Sequence, residues 1–242
     1  MLVSNSIKTR YKRSALGVVW TLLNPLLNTA VLTIAFSQLM RFEIENYPLY
    51  LLSGFIFWNF FSQTTTNAIQ QLVWGSNLIK RIYVPRTIFS VAVVGNGVVN
   101  FLLAWIPLAV VMLLFRQPFT PALWTLRLAL VLMGIFVLGV SLLISALAVF
   151  FTDVVDIYNV ALPALFYLTP IIYPANVIPP QFQFILKINP VYFLLELFRK
   201  PVFLGEAATG MEFLVGGVIA VVMLAIGWWV FTARADEMAY RI

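Results

Sequence analysis

The stretch YKRSALGVVWTLLNPLL, residues 11–27, joins a cluster of positive charges to an apolar run that carries Asn24 and Pro25. The chain of 242 residues is 62% hydrophobic and only 10% charged, and its mean hydropathy is +0.97. Soluble domains are usually about 45–50% apolar and about 25% charged. One soluble core cannot bury this much apolar surface, so the sequence predicts a protein whose main solvent is lipid.

Six apolar runs predict transmembrane helices, because a helix needs roughly 20 mostly apolar residues to cross a bilayer. The second run is short, and we expect it to continue as a helix to about Gln71, with its polar face against protein or water. The runs are continuous rather than alternating, which favours helices over a barrel. We therefore predict an all-α integral membrane protein, with a single transmembrane domain over 1–242. The predicted spans are 18–40, 47–61, 88–115, 126–151, 157–173 and 213–232.

The distribution of Lys and Arg predicts the orientation of the chain. With the amino terminus inside, the inside segments hold nine basic residues and the outside segments six. Four of the nine precede the first span, so we expect a multi-pass protein with both termini in the cytoplasm. The first apolar run is too long for a signal peptide, and no small-residue cleavage site follows it.

Residues 1–17 have the pattern of an amphipathic helix that lies in the headgroup plane, because apolar residues recur there every four positions beside basic ones. Such a helix directs its basic residues toward anionic lipid. The alternative is an unstructured basic tail that serves only as a topology signal. The site residues that we assign to this interfacial segment are Lys8, Arg10, Tyr11, Lys12 and Arg13.

The inside loop 72–87 is predicted to hold a short amphipathic helix that ends before Pro85. Its apolar residues fall on one face, flanked by two basic residues, and such a face seeks either a partner groove or the membrane surface. Both alternatives remain open from the residues alone. The residues concerned are Leu78, Lys80, Arg81, Ile82 and Tyr83.

The outside segment 174–212 is long for a connection and is not polar. Pro180 and Pro190 each suit the first turn of a helix, and the intervals 181–188 and 191–199 are too short to cross a bilayer. Such elements either cover a pore mouth as an outer gate or simply pack on the helix bundle. The gate candidates are Pro179, Pro180, Asn189 and Pro190.

Polar residues inside the spans are informative because lipid does not satisfy them. They either line a polar path or hydrogen-bond neighbouring helices, and the sequence leaves both alternatives open. Aromatic residues crowd 55–61 and 166–174, where they form either an interfacial belt or rings along a sugar passage. The polar candidates are Asn24, Asn28, Asn96, Asn100, Ser141, Ser145 and Thr169. The residues that we assign to a passage are Asn24, Asn28, Trp58, Asn96, Asn100 and Tyr167.

Catalytic motifs are scarce in this chain. It has no His and no Cys, and it lacks the glycine-rich Lys-Ser/Thr loop that cradles the phosphates of ATP. Asp153 and Asp156 could bind a metal-diphosphate, but we expect Thr152 or Asp153 to cap the next helix and Asp156 to favour its positive end. We therefore predict no catalytic residue, no metal site and no cofactor in this chain, and no nucleic-acid partner.

Five segments in order resemble the type-2 ABC exporter permeases for polysaccharides, which include the O-antigen, capsule and teichoic-acid permeases. They are RYKRSALGVVWTLLNPLL (10–27), YLLSGFIFWNFFS (50–62), NLIKRIYVPR (77–86), FFTDVVDI (150–157) and FYLTPIIYP with IPP and NPVYFLLELFR (166–199). They extend over nearly the whole chain. Similar proteins often have a longer amino terminus, so the resemblance leads us to expect that this chain starts late. They also often have a basic residue at the position of Thr152.

The resemblance implies a half-transporter in the bacterial cytoplasmic membrane. Two copies of the chain would pair with two separate ATPase subunits, which would bind the ATP and Mg. The passenger would be a polyprenyl-diphosphate-linked glycan, and the helix before Pro85 would couple the permease to the ATPase. The amino-terminal helix would complete the substrate entrance, and the outer proline-bounded helices would form the exit gate.

Two other functions compete with polysaccharide export. One is a type-2 ABC permease for a small lipid or drug, which the aromatic-rich runs and the outer Pro179-Pro180 pair disfavour. The other is a membrane glycosyltransferase or acyltransferase, which would need acid–base residues near a cleft. Asp153 and Asp156 are the two carboxylates that this chain offers for such a role.

Overall fold

The computed structural model describes residues 17–39, 44–73, 87–235 and 237–238, and the regular structure of these residues is entirely helical. The all-α prediction is therefore confirmed for this part of the chain. The helices are α1 Gly17–Leu39, α2 Tyr47–Val73, α3 Thr87–Leu103, α4 Trp105–Leu114, α5 Leu126–Phe150, α6 Asp153–Leu168, α7 Phe184–Ile188, α8 Pro190–Arg199 and α9 Gly210–Ala233. Shorter turns of helix lie at Pro121–Thr125, Ala175–Val177, Pro180–Phe182 and Lys200–Leu204.

Three helical stretches of the described residues are long and apolar enough to cross a membrane: Thr87–Leu114, Pro121–Phe150 and Gly210–Ala233. A shorter apolar run, Leu23–Ala35, lies within α1. Helix α2 extends to Val73, close to the predicted end at about Gln71. Each of the six predicted runs overlaps helical structure, and most of the predicted ends lie within a few residues of the observed ones. The number of membrane crossings stays a prediction.

Two of the predicted spans differ from the observed helices. The run 88–115 is interrupted at Ala104, because the ring of Pro107 opposes the carbonyl of Leu103 four residues earlier. The run 157–173 begins earlier, at Asp153, and its helix ends at Leu168. Thr169 is extended there, since the residue before a proline avoids helical geometry.

The start of α6 corrects the expected capping. Thr152 stands at the N-cap position, but its side chain makes no capping hydrogen bond, so that part of the prediction is wrong. Its backbone is already helical, with φ −59° and ψ −32°, whereas a capping side chain reaches the next amides from an extended backbone. Asp153 and Asp156 do lie in the first turn, where the helix dipole favours negative charge.

The core forms around α2, which buries one long face against α1, α3 and α5. Helix α5 also crosses α9 at a pair of glycines. A Cβ atom on Gly227 would lie 2.1 Å from the carbonyl oxygen of Gly139, so the two backbones are in direct contact. Small residues permit this close approach of apolar helices, which gain van der Waals contact there without help from the hydrophobic effect.

Of the two proline-bounded helices predicted in the segment 174–212, the second forms as predicted, whereas the first is divided at Gln183 into a 3-10 turn and the short helix α7. Pro180 begins a short 3-10 helix, and Pro190 occupies the first position of α8. The side-chain oxygen of Asn189 accepts hydrogen bonds from the amides of Val191 and Tyr192 at 3.0 and 3.3 Å. Asn189 therefore caps α8, and Pro179 precedes the 3-10 helix in an extended conformation.

Two sets of predicted site residues lie outside the described residues. The interfacial residues Lys8, Arg10, Tyr11, Lys12 and Arg13 belong to the first set. The coupling residues Leu78, Lys80, Arg81, Ile82 and Tyr83 belong to the second.

Candidate functional site

A cavity of about 1050 Å³ lies between α1, α2, α3 and α6. Its lining is rich in side-chain amides, and the described residues that line it include no Asp, Glu, Lys or Arg. Three hydroxyl side chains and six aromatic rings complete most of the remaining wall. The nine amides belong to Asn24, Asn28, Asn59, Gln63, Asn67, Gln71, Asn96, Asn100 and Asn159.

Helix α2 supplies a ladder of four amides to this cavity. Asn59, Gln63, Asn67 and Gln71 are spaced four residues apart and all line it. Four residues advance a helix by about 6 Å, so the ladder is roughly 18 Å long. The opposite face of the same helix is apolar and buried. Because lipid leaves amides unsatisfied, a polar stripe of this kind requires a water-filled or substrate-filled space.

Helices α1 and α3 each contribute a pair of amides that the sequence predicted. Asn28 donates from Nδ2 to the Oδ1 of Asn24 at 2.6 Å, a bond within α1 rather than between helices. Asn96 and Asn100 stand one turn apart on α3. The Oδ1 atom of Asn96 is buried and accepts no hydrogen bond from the described residues. It is therefore an enclosed acceptor without a partner among the described residues, on a side chain that lines the cavity.

Aromatic rings form one wall of the cavity. The ring of Phe166 lies 5.3 Å from that of Trp58, 5.7 Å from that of Phe55 and 5.4 Å from that of Tyr167, measured between centroids. Trp58 is buried, whereas Tyr167 is 65% exposed. The wall therefore combines a buried ring, that of Trp58, with an exposed ring, that of Tyr167, which a cargo molecule can contact.

All six predicted passage residues line this one cavity: Asn24, Asn28, Trp58, Asn96, Asn100 and Tyr167. The other polar candidates lie elsewhere. Ser141 and Ser145 are buried within α5, where the Ser145 hydroxyl donates to the Ser141 carbonyl. The Thr169 hydroxyl donates to the Leu165 carbonyl at 2.7 Å. The gate candidates Pro179, Pro180, Asn189 and Pro190 do not line the cavity either.

Sequence reasoning missed five individual amides as site residues: Asn59, Gln63, Asn67, Gln71 and Asn159. The polar face of α2 was expected, but its residues were not assigned to a site. Their four-residue spacing was the available signal, since it places one amide on the same face at each turn. Asn159 had no such signal, because no second amide accompanies it on α6.

A buried arginine holds the turn that follows α6. Arg199 is 3% exposed, and its Nη1 donates to the Pro170 carbonyl at 2.6 Å and to the Tyr50 hydroxyl at 2.9 Å. Its Nη2 donates to the Ile171 carbonyl at 3.4 Å. The guanidinium also lies 4.0 Å from the centre of the Tyr50 ring, and a Cβ atom on Gly54 would meet its Nη2 at 2.6 Å.

Two tyrosines of α2 complete this clamp on residues 170–173. The Tyr47 hydroxyl donates to the Ile172 carbonyl at 2.8 Å, and the Tyr50 hydroxyl lies 2.8 Å from the Tyr173 carbonyl. The four backbone carbonyls of residues 170–173, which follow the end of α6, therefore all accept hydrogen bonds from Arg199, Tyr47 or Tyr50. The sequence analysis did not single out Arg199, because two basic residues after an apolar run, here Arg199 and Lys200, resemble a simple helix end.

Glu196 is the carboxylate beside this clamp, 3.6 Å from Nη1 of Arg199. Burial raises the pKa of the Glu196 carboxyl, and the nearby charges of Arg199 and Lys200 oppose that increase. A second ion pair joins Lys200 to Glu212, and Glu212 also forms a capping box with Thr209 at the start of α9. The end of α8 is therefore tied both to α2 and to α9.

Apolar helices around an amide-lined cavity indicate a membrane transport protein. Residues 1–203 match the family model described as ABC-2 type transporter. The chain belongs to the ABC-2 type transporter family.

Individual relatives cover most of the chain. It is 34% identical over 194 residues to an O-antigen export system permease protein RfbA of Klebsiella pneumoniae, with 79% of this chain and 74% of that one covered. A second RfbA of the same organism is 30% identical over 233 residues, with coverages of 93% and 89%. The polysialic acid transport protein KpsM of Escherichia coli is 24% identical over 245 residues, with coverages of 98% and 93%.

The clamp predicts a specific cost for Arg199→Lys. A lysine retains the charge but cannot reach both carbonyls and the tyrosine hydroxyl in the geometry of the guanidinium fork. We expect the free energy of unfolding to fall by about 1.5–3 kcal/mol, the range of a lost hydrogen bond to a charged group. Thermal unfolding of the purified protein in detergent measures this change.

Arg127→Lys is the matched control for that substitution. Arg127 is exposed and lies 4.1 Å from the centre of the Trp124 ring, a contact worth about 0.5–1 kcal/mol at exposed sites. Equal losses of stability in the two variants would contradict the clamp.

Proposed function

We propose that this chain is the permease subunit of an ATP-driven exporter that moves a polyprenyl-diphosphate-linked polysaccharide across the bacterial cytoplasmic membrane. The polysaccharide would be of the O-antigen, capsule or teichoic-acid type. Membership in the ABC-2 type transporter family supports the transport role, and the relatives named for O-antigen export and polysialic acid transport support the class of cargo.

The observation that carries this proposal is the chemistry of the cavity. Side-chain amides both donate and accept hydrogen bonds, as sugar hydroxyls do. Aromatic rings offer flat apolar faces beside them, a combination suited to the mixed polar and apolar surface of a sugar ring. A permease for a small lipid or drug would call for a mainly apolar pocket with few polar groups, whereas nine amides line this one.

A membrane transferase is the weaker alternative. General acid–base catalysis needs a titratable group within hydrogen-bond reach of the reacting atoms. The described lining of the cavity offers the phenol of Tyr167 but no Asp, Glu, Lys or Arg. Asp153 and Asp156 lie in the first turn of α6 and do not line the cavity. Their position supports an electrostatic role at the helix start.

The proposed cycle takes its energy from partner subunits. Two copies of this chain would assemble with two ATPase subunits, which would bind the ATP and Mg, and residues 78–83 would transmit their movement. Both termini would be cytoplasmic, with the basic residues Lys8, Arg10, Lys12 and Arg13 along the inner surface at the substrate entrance. The segment 174–212 would cover the outer exit. The ATPase contact must favour one conformation over the other, because only differential interaction shifts such an equilibrium.

Deletion of the gene in its own cell tests the cargo. The proposal predicts loss of one surface polysaccharide and accumulation of its lipid-linked form inside, measured by extraction and gel analysis of both pools.

Gln63→Leu should lower export by about fivefold to tenfold, which corresponds to the loss of one hydrogen bond to the passing chain. Gln70→Leu is the matched control, because Gln70 is exposed on the same helix but does not line the cavity.

Unchanged surface polysaccharide after deletion, with a defect in a small lipid or a drug instead, would reject polysaccharide export. Equal export by the Gln63→Leu and Gln70→Leu variants, at equal protein levels, would reject the cavity as its route.

The absence of cysteine from the chain permits a direct test of the ATPase contact. A single Ile82→Cys substitution should give a crosslinked product with a nucleotide-binding subunit in native membranes, identified by mass spectrometry. Exposure of that thiol to an impermeant reagent from the outside alone would reverse the topology and reject the coupling role.

A further inference from the structure

We propose that the cavity selects glycans whose repeating units carry no charge. This inference rests on the proposed function and narrows its cargo to polymers of neutral sugars. The described residues place nine amides around the cavity and no Asp, Glu, Lys or Arg. The proposal follows from the groups that such a lining can stabilise.

Carboxylate or phosphate groups on each repeat would lose water on entering this space. The neutral dipoles of the amides replace that water only in part, and a desolvated charge is strongly unfavourable unless a counter-charge accompanies it. The described lining provides no such counter-charge. Proteins that conduct anions commonly place Arg or Lys around the pathway. The buried Arg199 does not serve this purpose, because it is committed to the carbonyls of Pro170 and Ile171.

Neutral hydroxyl groups fit the same lining well. Each side-chain amide presents a donor NH₂ group and an acceptor oxygen. A sugar hydroxyl both donates and accepts, so it can pair with either atom, whereas a carboxylate can pair with the donors alone. A lining of nine amides therefore favours hydroxyl groups over anions.

The ladder on α2 extends this preference along the path. Its four amides recur at each turn, so a moving polymer can exchange one hydrogen-bonded set for the next with little change in energy. The diphosphate of the lipid carrier is one group per molecule, and the proposal concerns the repeating units that make up the bulk of the cargo.

The first test is the composition of the surface glycan that depends on this chain. Cells with the gene deleted and restored are compared, and the glycan that reappears is analysed for uronic acids, sialic acids, phosphate and sulfate. The proposal predicts a repeating unit without any of these groups. A dependent glycan with an anion in every repeat would overturn it and leave the exporter function intact. The absence of any dependent glycan would instead reject the proposed function itself.

The second test changes the charge of the cavity. Host cells that make an acidic polyprenyl-diphosphate-linked glycan, and lack their own permease, receive the exporter with Gln63→Lys or with Gln70→Lys. The wild-type chain and Gln70→Lys should export little acidic glycan, and Gln63→Lys should raise the ratio of acidic to neutral export by about tenfold, a change of about 1.4 kcal/mol in relative passage.

Export of a neutral glycan in a parallel host, with protein levels measured by immunoblot, shows that each variant is folded and coupled. Wild-type export of the acidic and neutral glycans within about twofold of each other, a difference below 0.5 kcal/mol, would contradict charge selection. An unchanged ratio in an active Gln63→Lys variant would contradict the role of this cavity in it.

Discussion

The guanidinium of Arg199 donates hydrogen bonds to backbone carbonyls that follow α6, and the arrangement of the cavity depends on these bonds. Helix α6 ends at Leu168, and the next carbonyls would lose their partners in a dry environment. Arg199, Tyr50 and Tyr47 supply the donors. Because those donors come from α2 and α8, the clamp fixes the end of α6 relative to both helices. Phe166 and Tyr167, which precede this turn directly, are thereby held at the cavity wall.

The same clamp connects the cavity to the segment 174–212. Asn189 caps α8 and also donates to the Thr169 hydroxyl at 2.9 Å, while Lys200 pairs with Glu212 of α9. Any rearrangement of that segment must therefore act on the end of α6 and on α2. In the proposed transport cycle, this link would allow movement at an outer gate to change the aromatic wall, without a separate device for communication.

The sequence predicted those features that depend on local pattern. Apolar run length located the helices, and the one-turn spacing of Asn96 and Asn100 placed both residues on a common face that does line the cavity. The proline positions predicted the start of α8. These signals require only helical periodicity and the missing amide hydrogen of proline.

Features that depend on distant parts of the chain were not predictable in this way. The turn at 169–173 exists because Arg199 and two tyrosines of α2 supply donors from far along the sequence, so an apolar run alone predicted a longer helix. The break at Ala104 follows from Pro107 within a run that is otherwise ideal in length. Asn159 joins the site only through the packing of α6 against α2. Local spacing could not indicate that contact.

Photo-crosslinking of the cargo would test the proposed passage most directly. Benzoylphenylalanine would replace Tyr167 in one exporter and Trp229 in another, since both are exposed aromatic residues, at 65% and 70%, and Tyr167 alone lines the cavity. Each exporter would be stalled with an ATPase subunit unable to hydrolyse ATP and then irradiated in cells that synthesise the glycan. Passage through the cavity predicts a glycan adduct at position 167 and none at position 229. Equal adducts at both positions, or an adduct at 229 alone, would contradict it.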